Sequence, residues 1–346
     1  MTKCLLAYVP GMRSVIITGH ANVAVETVPD PILTGPDGAI VQVERTAICG
    51  SDLHFYDGEL PFYPVAPGHE AIGTVVEVGP DVRRFSVGDR VMVSCIAGCG
   101  SCTGCAVGDP ATCVDGPRIF GAGDLGGAQA ELLAVPVADY QLMLVPEGID
   151  DEAALLLTDN LGTGWSGAVR ADFTPGSTVA VLGLGAVGLC AVRSALALGA
   201  GRVLALDPVA GRRDRAVASG AEAVASAEEL LAAGPVDAVI DAVALNSSMD
   251  TAFAAVRAGG TVSVIGVHDL TPYPLNLTMG VLRSVTLRMT TAQLQRSWGA
   301  LVPLVQSGAL DTSGIFTHSF DLAEADKAYA AVAARTSDCI KVVLTP

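Results

Sequence analysis

A thiol, an imidazole and a carboxylate lie close together early in the chain. Cys49 opens the run CGSDLH (49–54), and His69 and Glu70 follow the glycine at position 68. These residue types suit a divalent metal of borderline softness, zinc above all, because Cys, His, Asp and Glu are its usual protein ligands. A catalytic zinc site has three protein ligands and leaves one position for water or substrate. A buried cysteine beside a hydrogen-bonded histidine would give the same pattern without a metal.

A second group of cysteines is spaced more tightly. Cys99, Cys102, Cys105 and Cys113 follow the pattern C-x2-C-x2-C-x7-C, with glycines between them. Four thiolates at this spacing can close a tetrahedral structural zinc site. An iron–sulfur cluster is the chemical alternative, since thiolates hold both kinds of centre. Five of the nine cysteines fall within residues 95–113, which indicates metal chemistry in a reducing compartment rather than a secreted disulfide framework.

A glycine-rich turn follows an apolar strand in the second half of the chain. After the run VAVL (179–182), Gly183, Gly185 and Gly188 form the pattern G-x-G-x-x-G. Such glycines permit a tight turn and close approach of a pyrophosphate, while the following helix N-terminus supplies amide donors. Asp207 ends the next predicted strand, where a carboxylate accepts from both adenosine ribose hydroxyls and repels a 2′-phosphate. The combination favours NAD over NADP.

Together, the order and spacing of the three motifs resemble the zinc-dependent medium-chain alcohol dehydrogenase family, from about Met12 to the end of the chain. The resemblance implies hydride transfer between NAD(H) and an alcohol and its aldehyde or ketone, with one catalytic and one structural zinc ion per chain. It implies Cys49, His69 and Asp159 as catalytic zinc ligands, because the run TDNLGTG (158–164) matches the family segment that carries the third ligand. Glu70 is expected to support these ligands or to approach the metal itself, and a helix-capping role for Asp159 stays open. The four-cysteine group matches the family's structural zinc lobe.

Further positions match family residues around the cofactor. Ser51 and His54 correspond to a proton relay between substrate hydroxyl and solvent, although His54 could instead be an ordinary surface histidine. Arg212 is expected near the adenosine ribose; it could accommodate the phosphate of NADP, but Asp207 argues against that. No motif partner is evident for His20, His268 and His318, which we expect to be structural. The full set of expected cofactor contacts is Gly183, Leu184, Gly185, Val187, Gly188, Asp207, Arg212, Thr163, Val267 and Lys341.

Some positions depart from the family pattern. Gly50 replaces a basic residue that contacts the pyrophosphate, and Lys341 stands where an arginine is usual. Cys95 replaces a bulky aromatic that walls the substrate cleft, so we expect a wider cleft, unless Cys95 is a packing residue that does not contact substrate. The chain also lacks an insertion found in dimeric animal members, which favours a homotetramer over a dimer.

Composition limits the partners and the location of the protein. The 346 residues include 20 basic and 36 acidic side chains, a net charge of −16. Such a surface repels phosphate backbones and anionic lipids, so neither nucleic-acid nor membrane binding is expected. The apolar run near the N-terminus is too short for a signal peptide, which favours a cytoplasmic protein. Residues 1–11 precede the family pattern as an extension of unknown purpose.

The pattern of predicted strands and helices indicates an α/β protein of two domains. Short strands broken by Gly and Pro before Asp150 predict a small β-barrel, GroES-like by resemblance. Between 179 and 289, strand-like runs alternate with Ala-rich helices, which is typical of a doubly wound parallel sheet, the Rossmann fold. The expected domains are a discontinuous catalytic domain, 1–160 and 295–346 with the zinc lobe at 95–113, and a coenzyme domain, 161–294.

Other functions share these motifs. Formaldehyde, polyol and threonine dehydrogenase-like enzymes of the same scaffold are alternatives for the substrate. A zinc-free quinone-type reductase or a non-catalytic nucleotide-binding protein would be a different class. Cys49, His69 and Asp159 argue against the first, and the intact relay and ligand set argue against the second.

Overall fold

The computed structural model describes residues 11–267 and 271–346 of the chain. The N-terminal extension, up to residue 10, and His268 lie outside these ranges. Short strands dominate the part up to residue 170, in which the elements are β1 (Gly11–Gly19), β2 (Asn22–Pro29), β3 (Ala39–Ile48), α1 (Leu53–Tyr56), β4 (Ala71–Val78), β5 (Arg90–Val93), β6 (Ile96–Ala97), α2 (Thr103–Ala106), β7 (Arg118–Ile119), β8 (Leu132–Val135), α3 (Ala138–Gln141), β9 (Leu142–Leu144), α4 (Asp151–Leu156) and α5 (Asn160–Arg170).

Strands and helices alternate in the remainder of the chain. The elements are β10 (Thr178–Leu182), α6 (Ala186–Ala197), β11 (Arg202–Leu206), α7 (Ala210–Ala218), β12 (Glu222–Val224), α8 (Ala227–Ala232), β13 (Val236–Asp241), α9 (Asn246–Ala255), β14 (Val256–Val264), α10 (Leu277–Arg283), β15 (Thr286–Met289), α11 (Leu294–Gln306), β16 (Phe316–Asp321), α12 (Ala325–Ala333) and β17 (Lys341–Thr345).

A seven-stranded sheet holds the first two metal-ligand candidates. Its order is β16-β17-β3-β4-β5-β9, and β8 also pairs with β3. Because β3 and β4 are antiparallel and Thr46 pairs with Ala71, the end of β3 and the start of β4 lie side by side. The last strand, β17, pairs with the same end of β3, Val342 opposite Ile48. The C-terminal tail therefore completes the sheet that positions Cys49 and His69.

The second sheet is the parallel one that the alternation predicts. Its six strands are in the order β12-β11-β10-β13-β14-β15, and all pairs are parallel. Residues of β10 are almost completely buried, as expected for a strand with helices on both faces. The strand order reverses between β10 and β13, which places the glycine-rich turn after β10 at the crevice where such sheets bind nucleotides.

Two helices carry the chain from one sheet to the other. The carboxylate of Asp150 accepts a hydrogen bond of 2.8 Å from the amide of Ala153 and caps α4, as the acidic run at this point predicts. After α4 the chain turns sharply at Asp159 and continues as α5, which packs against α6 through Gly164. The boundaries that we place at 160 and 294 stay a prediction. Among the described residues, no helix is both long and apolar enough to cross a lipid bilayer.

Candidate functional site

Cys49, His69, Glu70 and Asp159 form one cluster, although Asp159 is remote from the others in sequence. A ligand atom from each of the four lies within 4.8 Å of the others. Cys49 directly follows β3, and His69 and Glu70 directly precede β4, so the antiparallel pairing of these strands brings them together. The turn between α4 and α5 delivers Asp159.

The carboxylate of Asp159 faces this cluster rather than its own helix. It lies 3.6 Å from His69 Nε2 and 3.7 Å from Cys49 Sγ. Asn160 Nδ2 and Thr163 Oγ1 donate to it at 2.6 and 3.0 Å. Because the side chain makes no capping hydrogen bond to α5, the alternative role of Asp159 as a helix cap is wrong. Thr163, expected at the cofactor, here holds the Asp159 carboxylate.

A buried polar network orients Cys49 and His69 from behind. Asp52 Oδ2 accepts from the amide of Cys49 and from Gln129 Nε2, both at 3.0 Å, while Asp52 Oδ1 lies 3.7 Å from His69 Nδ1. The hydroxyl of Tyr329 donates to Gln129 Oε1 at 2.9 Å. Nδ1 of His69 is directed at Asp52, and Nε2 therefore points into the cluster. A carboxylate beside the second ring nitrogen fixes the ring orientation of metal-binding histidines in the same way. Sequence reasoning missed all three supporting residues, although Asp52 lies within the cysteine motif.

Lys341 lies against Glu70, in the interior. Its Nζ is 2.7 Å from Glu70 Oε1 and 3.4 Å from the carbonyl of Ile48, and both side chains are buried. Burial would lower the pKa of Lys341, but Glu70 and Cys49 raise it. The sequence suggested a pyrophosphate contact for this residue; in the structure its ammonium is occupied by Glu70.

The chemistry of the cluster fits a divalent metal. Burial alone would lower the pKa of His69, but the charges of Cys49 and Asp159 raise it well above the usual value of a histidine. Glu70 Oε2 is buried and has no hydrogen-bond partner within the described part of the chain. Lys341 pairs with one oxygen of Glu70, but the other oxygen stays buried and unpaired, which a metal ion bound by the thiol, the imidazole and the carboxylates would correct. Zinc takes all three of these ligand types.

The four cysteines of the second group also converge. Their sulfur atoms lie within 4.8 Å of one another, and the 4.0 Å between Cys99 Sγ and Cys105 Sγ is too long for a disulfide. The amides of Cys102 and Cys99 donate to the sulfurs of Cys99 and Cys113, each at 3.4 Å. Hydrogen bonds from the backbone and hydroxyl of Ser101 lower the pKa of Cys99 to about 6. These contacts favour the thiolate form that binds metals.

The glycine-rich turn has the geometry of a nucleotide site. Gly183 has φ +80°, and a Cβ on Gly188 would overlap the carbonyl of Gly183, so side chains are excluded at both positions. Asp207 is buried and accepts from the amides of Leu184 and Val209, each at 2.8 Å. The carboxylate thereby joins the turn after β10 to the end of β11.

Arg212 lies on the other side of Asp207. Its Nη1 is 3.7 Å from Asp207 Oδ2, and its Nε is buried and has no hydrogen-bond partner in the described ranges. The remaining expected cofactor positions on this sheet, Gly185 and Val187, lie at the start of α6.

His54 is buried, so its alternative interpretation as a surface histidine is wrong. Its Nδ1 lies 2.6 Å from Glu59 Oε2 and its Nε2 lies 2.9 Å from the carbonyl of Val267. Val267 follows β14, so this contact brings the first sheet's loop to the nucleotide-binding edge. Ser51 lies in the single 3-10 turn between Cys49 and α1. Glu59, which is not part of the motif, escaped the sequence analysis.

Cys95 lies beside the cluster. Its sulfur is 3.7 Å from Asp159 Oδ1, and burial together with Asp159 raises the pKa of the thiol well above its usual value. Cys95 therefore contributes a small, uncharged group at this point. Two histidines without a motif partner make no contact with this cluster in the described ranges. His20 is exposed, and His318 Nδ1 forms a hydrogen bond of 3.0 Å with Thr317 Oγ1.

Two family models match separate parts of this chain. The model of the alcohol dehydrogenase GroES-like domain matches residues 35–147, and the model of the zinc-binding dehydrogenase family matches residues 186–307. A probable zinc-binding alcohol dehydrogenase of Mycobacterium tuberculosis is 58% identical over 341 residues, which are 97% of this chain and 89% of that protein.

Solved structures agree with these matches. An alcohol dehydrogenase from Thermus sp. ATN1 aligns with a TM-score of 0.90 at 33% identity, covering 96% of this chain and 99% of that one. A putative zinc-binding dehydrogenase from Sinorhizobium meliloti 1021, bound to NADP, aligns with a TM-score of 0.82 at 28% identity, covering 97% and 100%. The predicted fold class, a GroES-like domain with a Rossmann sheet, is confirmed.

Proposed function

The chain belongs to the zinc-binding alcohol dehydrogenases, a family of oxidoreductases, and we propose that it transfers a hydride between NAD(H) and an alcohol and its aldehyde or ketone. The observation that carries the proposal is the convergence of Cys49, His69, Glu70 and Asp159. The contact between His54 and Val267 places this cluster's loop at the edge of the parallel sheet where a nucleotide would bind. A zinc-free quinone-type reductase would not need these ligands.

Separate residues of this chain would hold the metal ligands and receive the substrate proton. Bound zinc supplies a Lewis acid that polarises the substrate oxygen, and NAD supplies the hydride acceptor. Asp52 and Gln129 hold Cys49 and His69 in the geometry that a metal requires. Ser51, in the turn that directly follows Cys49, is assigned to receive the substrate proton.

Glu59 provides an outlet to solvent for that proton. His54 is buried, whereas the Glu59 side chain that it contacts is 43% exposed. Because His54 Nε2 faces the carbonyl oxygen of Val267 and so carries a hydrogen, Nδ1 is the nitrogen that exchanges a proton with Glu59 Oε2 across 2.6 Å, and through Glu59 with water. The relay expected at Ser51 and His54 thus gains a third member.

The choice of NAD depends on Asp207. Its buried carboxylate at the end of β11 offers acceptors to ribose hydroxyls and like charge to a 2′-phosphate. The Sinorhizobium relative is bound to NADP, so the fold itself does not exclude that nucleotide. Arg212, 3.7 Å from the Asp207 carboxylate, and Arg213, which donates to the Asp207 carbonyl, are basic residues that would favour the phosphate.

A second zinc is assigned to Cys99, Cys102, Cys105 and Cys113. The four cysteines leave no ligand position for substrate, so this site would stabilise the loop that carries them. Membership of a zinc-binding family favours zinc over the iron–sulfur alternative.

A homo-oligomer is supported by one exposed apolar surface. None of the residues of α10 is buried, and its Val281 and Leu282 are 77% and 74% exposed. The adjacent strand, β15, is the edge of the parallel sheet. An apolar helix beside a free sheet edge is a typical contact between identical subunits. We propose a tetramer rather than a dimer, because the chain lacks the insertion found in the dimeric animal members of the family.

One experiment tests the activity and the metal together. Protein purified without chelator should contain two zinc ions per chain and should reduce NAD with at least one member of a panel of primary, secondary, branched and polyhydric alcohols, formaldehyde adducts and threonine. Cys49→Ser should abolish turnover with the fold intact, whereas Cys102→Ser should lower thermal stability. Cys339→Ala, at a buried cysteine outside both groups, is the control and should keep its turnover. Full activity in zinc-free protein would overturn the assignment.

A further inference from the structure

A cavity lies between α5, β15 and the first turn of α11. Its volume is about 310 Å³, at the lower end of the range of small-molecule sites, and it shares no lining residue with the metal cluster or the glycine-rich turn. Three arginines line it, one from each element: Arg170, Arg288 and Arg296. In a chain of net charge −16, this concentration of positive charge requires a separate explanation.

Two carboxylates compensate two of the three guanidinium groups. Arg288 Nη2 forms an ion pair of 2.7 Å with Asp172, and its Nη1 donates to the carbonyl of Arg170. Arg170 Nη2 lies 3.7 Å from Asp109, a long contact, and Asp109 also accepts from the side chain of Gln293. The cavity therefore retains one uncompensated positive charge.

The remaining donors have no acceptor. Arg170 Nε is buried without a hydrogen-bond partner among residues 11–267 and 271–346. Arg296 is exposed at the mouth of the cavity, and within the same ranges its side chain makes no hydrogen bond or ion pair, so its donors face solvent. A buried N–H without an acceptor is destabilising, so this site has an unmet demand for an oxygen anion.

The surrounding groups also suit an anion. The cavity is lined by Gln293, the N-cap of α11, and by Arg296 and Ser297 of its first turn, the positive end of the helix dipole. The hydroxyls of Ser166 and Ser297, 3.4 Å apart, are further donors. Trp165 adds a flat apolar surface for the rest of a ligand.

We propose that this cavity binds a small organic anion through a carboxylate or phosphate group, held by Arg170 and Arg296 with Arg288 behind them. Guanidinium groups bind both kinds of oxyanion in a two-pronged geometry. The site is separate from the catalytic cluster, and the proposal does not depend on the activity proposed above.

Inorganic phosphate and citrate are the probes for the two chemistries, titrated by calorimetry at constant ionic strength in chloride. The holoenzyme is first saturated with NADH, because the nucleotide site also binds phosphate. We compare wild-type protein with Arg296→Gln, which removes a side chain without a partner and should leave the melting temperature unchanged. Arg83→Gln removes an exposed arginine elsewhere and is the matched control.

We expect wild-type protein to bind at least one probe, and Arg296→Gln to bind it about tenfold more weakly. The affinity of Arg83→Gln should equal that of the wild type. Preference between the probes then separates phosphate from carboxylate ligands. Absence of binding to both probes, or equal affinity in wild type and Arg296→Gln, overturns the proposal. If Arg296→Gln lowers the oligomer's mass by sedimentation while phosphate affinity is unchanged, the cavity is a contact between subunits, and the proposal is again wrong. The comparison of variants remains decisive even if NADH does not bind.

Discussion

At the scale of single residues, Cys95 is our candidate for the side chain that sets substrate size. Its thiol lies beside Asp159 and is smaller than the aromatic that the family resemblance places there. Cys95→Phe should fill the space next to the metal cluster and reduce kcat/KM for branched alcohols more than for ethanol. Cys95→Ala, which fills no space, should leave the ratio between the two substrates unchanged. Equal losses for both sizes would show that Cys95 does not shape the cleft.

Asp207 makes a second prediction at the residue scale. Asp207→Gly removes two acceptors for the ribose and the charge that opposes a 2′-phosphate, a change of about 3 kcal/mol in the preference between nucleotides. The ratio of kcat/KM for NAD to that for NADP should therefore fall. Asp214→Ala, at an exposed acidic residue of α7, is the control and should not alter the ratio. A wild-type enzyme that already prefers NADP would mean that Arg212 dominates.

At the scale of elements, our proposal gives α10 the contact between chains. Leu282→Glu places a charge on its exposed apolar face, and we expect it to dissociate the oligomer, because a buried unpaired charge opposes association. Leu231→Glu makes the same change at an exposed leucine of α8 and should leave the mass unchanged. Sedimentation of both variants at several concentrations checks this. Unchanged mass in Leu282→Glu would place the interface elsewhere.

Elements were also what the sequence predicted best. The strands around the glycine-rich turn follow from apolar runs and glycine positions: the run at 179–182 lies within β10, and Asp207 directly follows β11. Local motifs likewise predicted that Cys49 and His69 would lie together. Glu59 and Gln129 were not predictable in this way, because their roles depend on loops and strand neighbours that no periodic pattern specifies.

At the scale of the whole molecule, the site depends on contacts between distant parts of the chain. Asp159 reaches the cluster through the turn between two helices, and β17 brings Lys341 to Glu70 from near the C-terminus. The family pattern suggested Asp159 as a metal ligand, whereas it suggested the cofactor pyrophosphate, not Glu70, as the partner of Lys341. The difference has a physical cause: pairing of β17 with β3 buries the ammonium, and a buried ammonium needs a carboxylate.

Lys341 therefore links the last strand to the cluster, and its removal tests that link. Lys341→Met leaves Glu70 buried and unpaired, which should lower the free energy of unfolding by about 3 kcal/mol, as for other broken buried pairs. Lys327→Met, which breaks an exposed 2.8 Å pair with Glu324, is the control and should leave the free energy of unfolding nearly unchanged. Lys341→Met combined with Glu70→Gln should recover most of the loss, because no uncompensated charge then remains. Urea unfolding of the three variants, with zinc content measured alongside, gives these values. If Lys341→Met is as mild as Lys327→Met, the C-terminal strand does not stabilise the cluster through this pair.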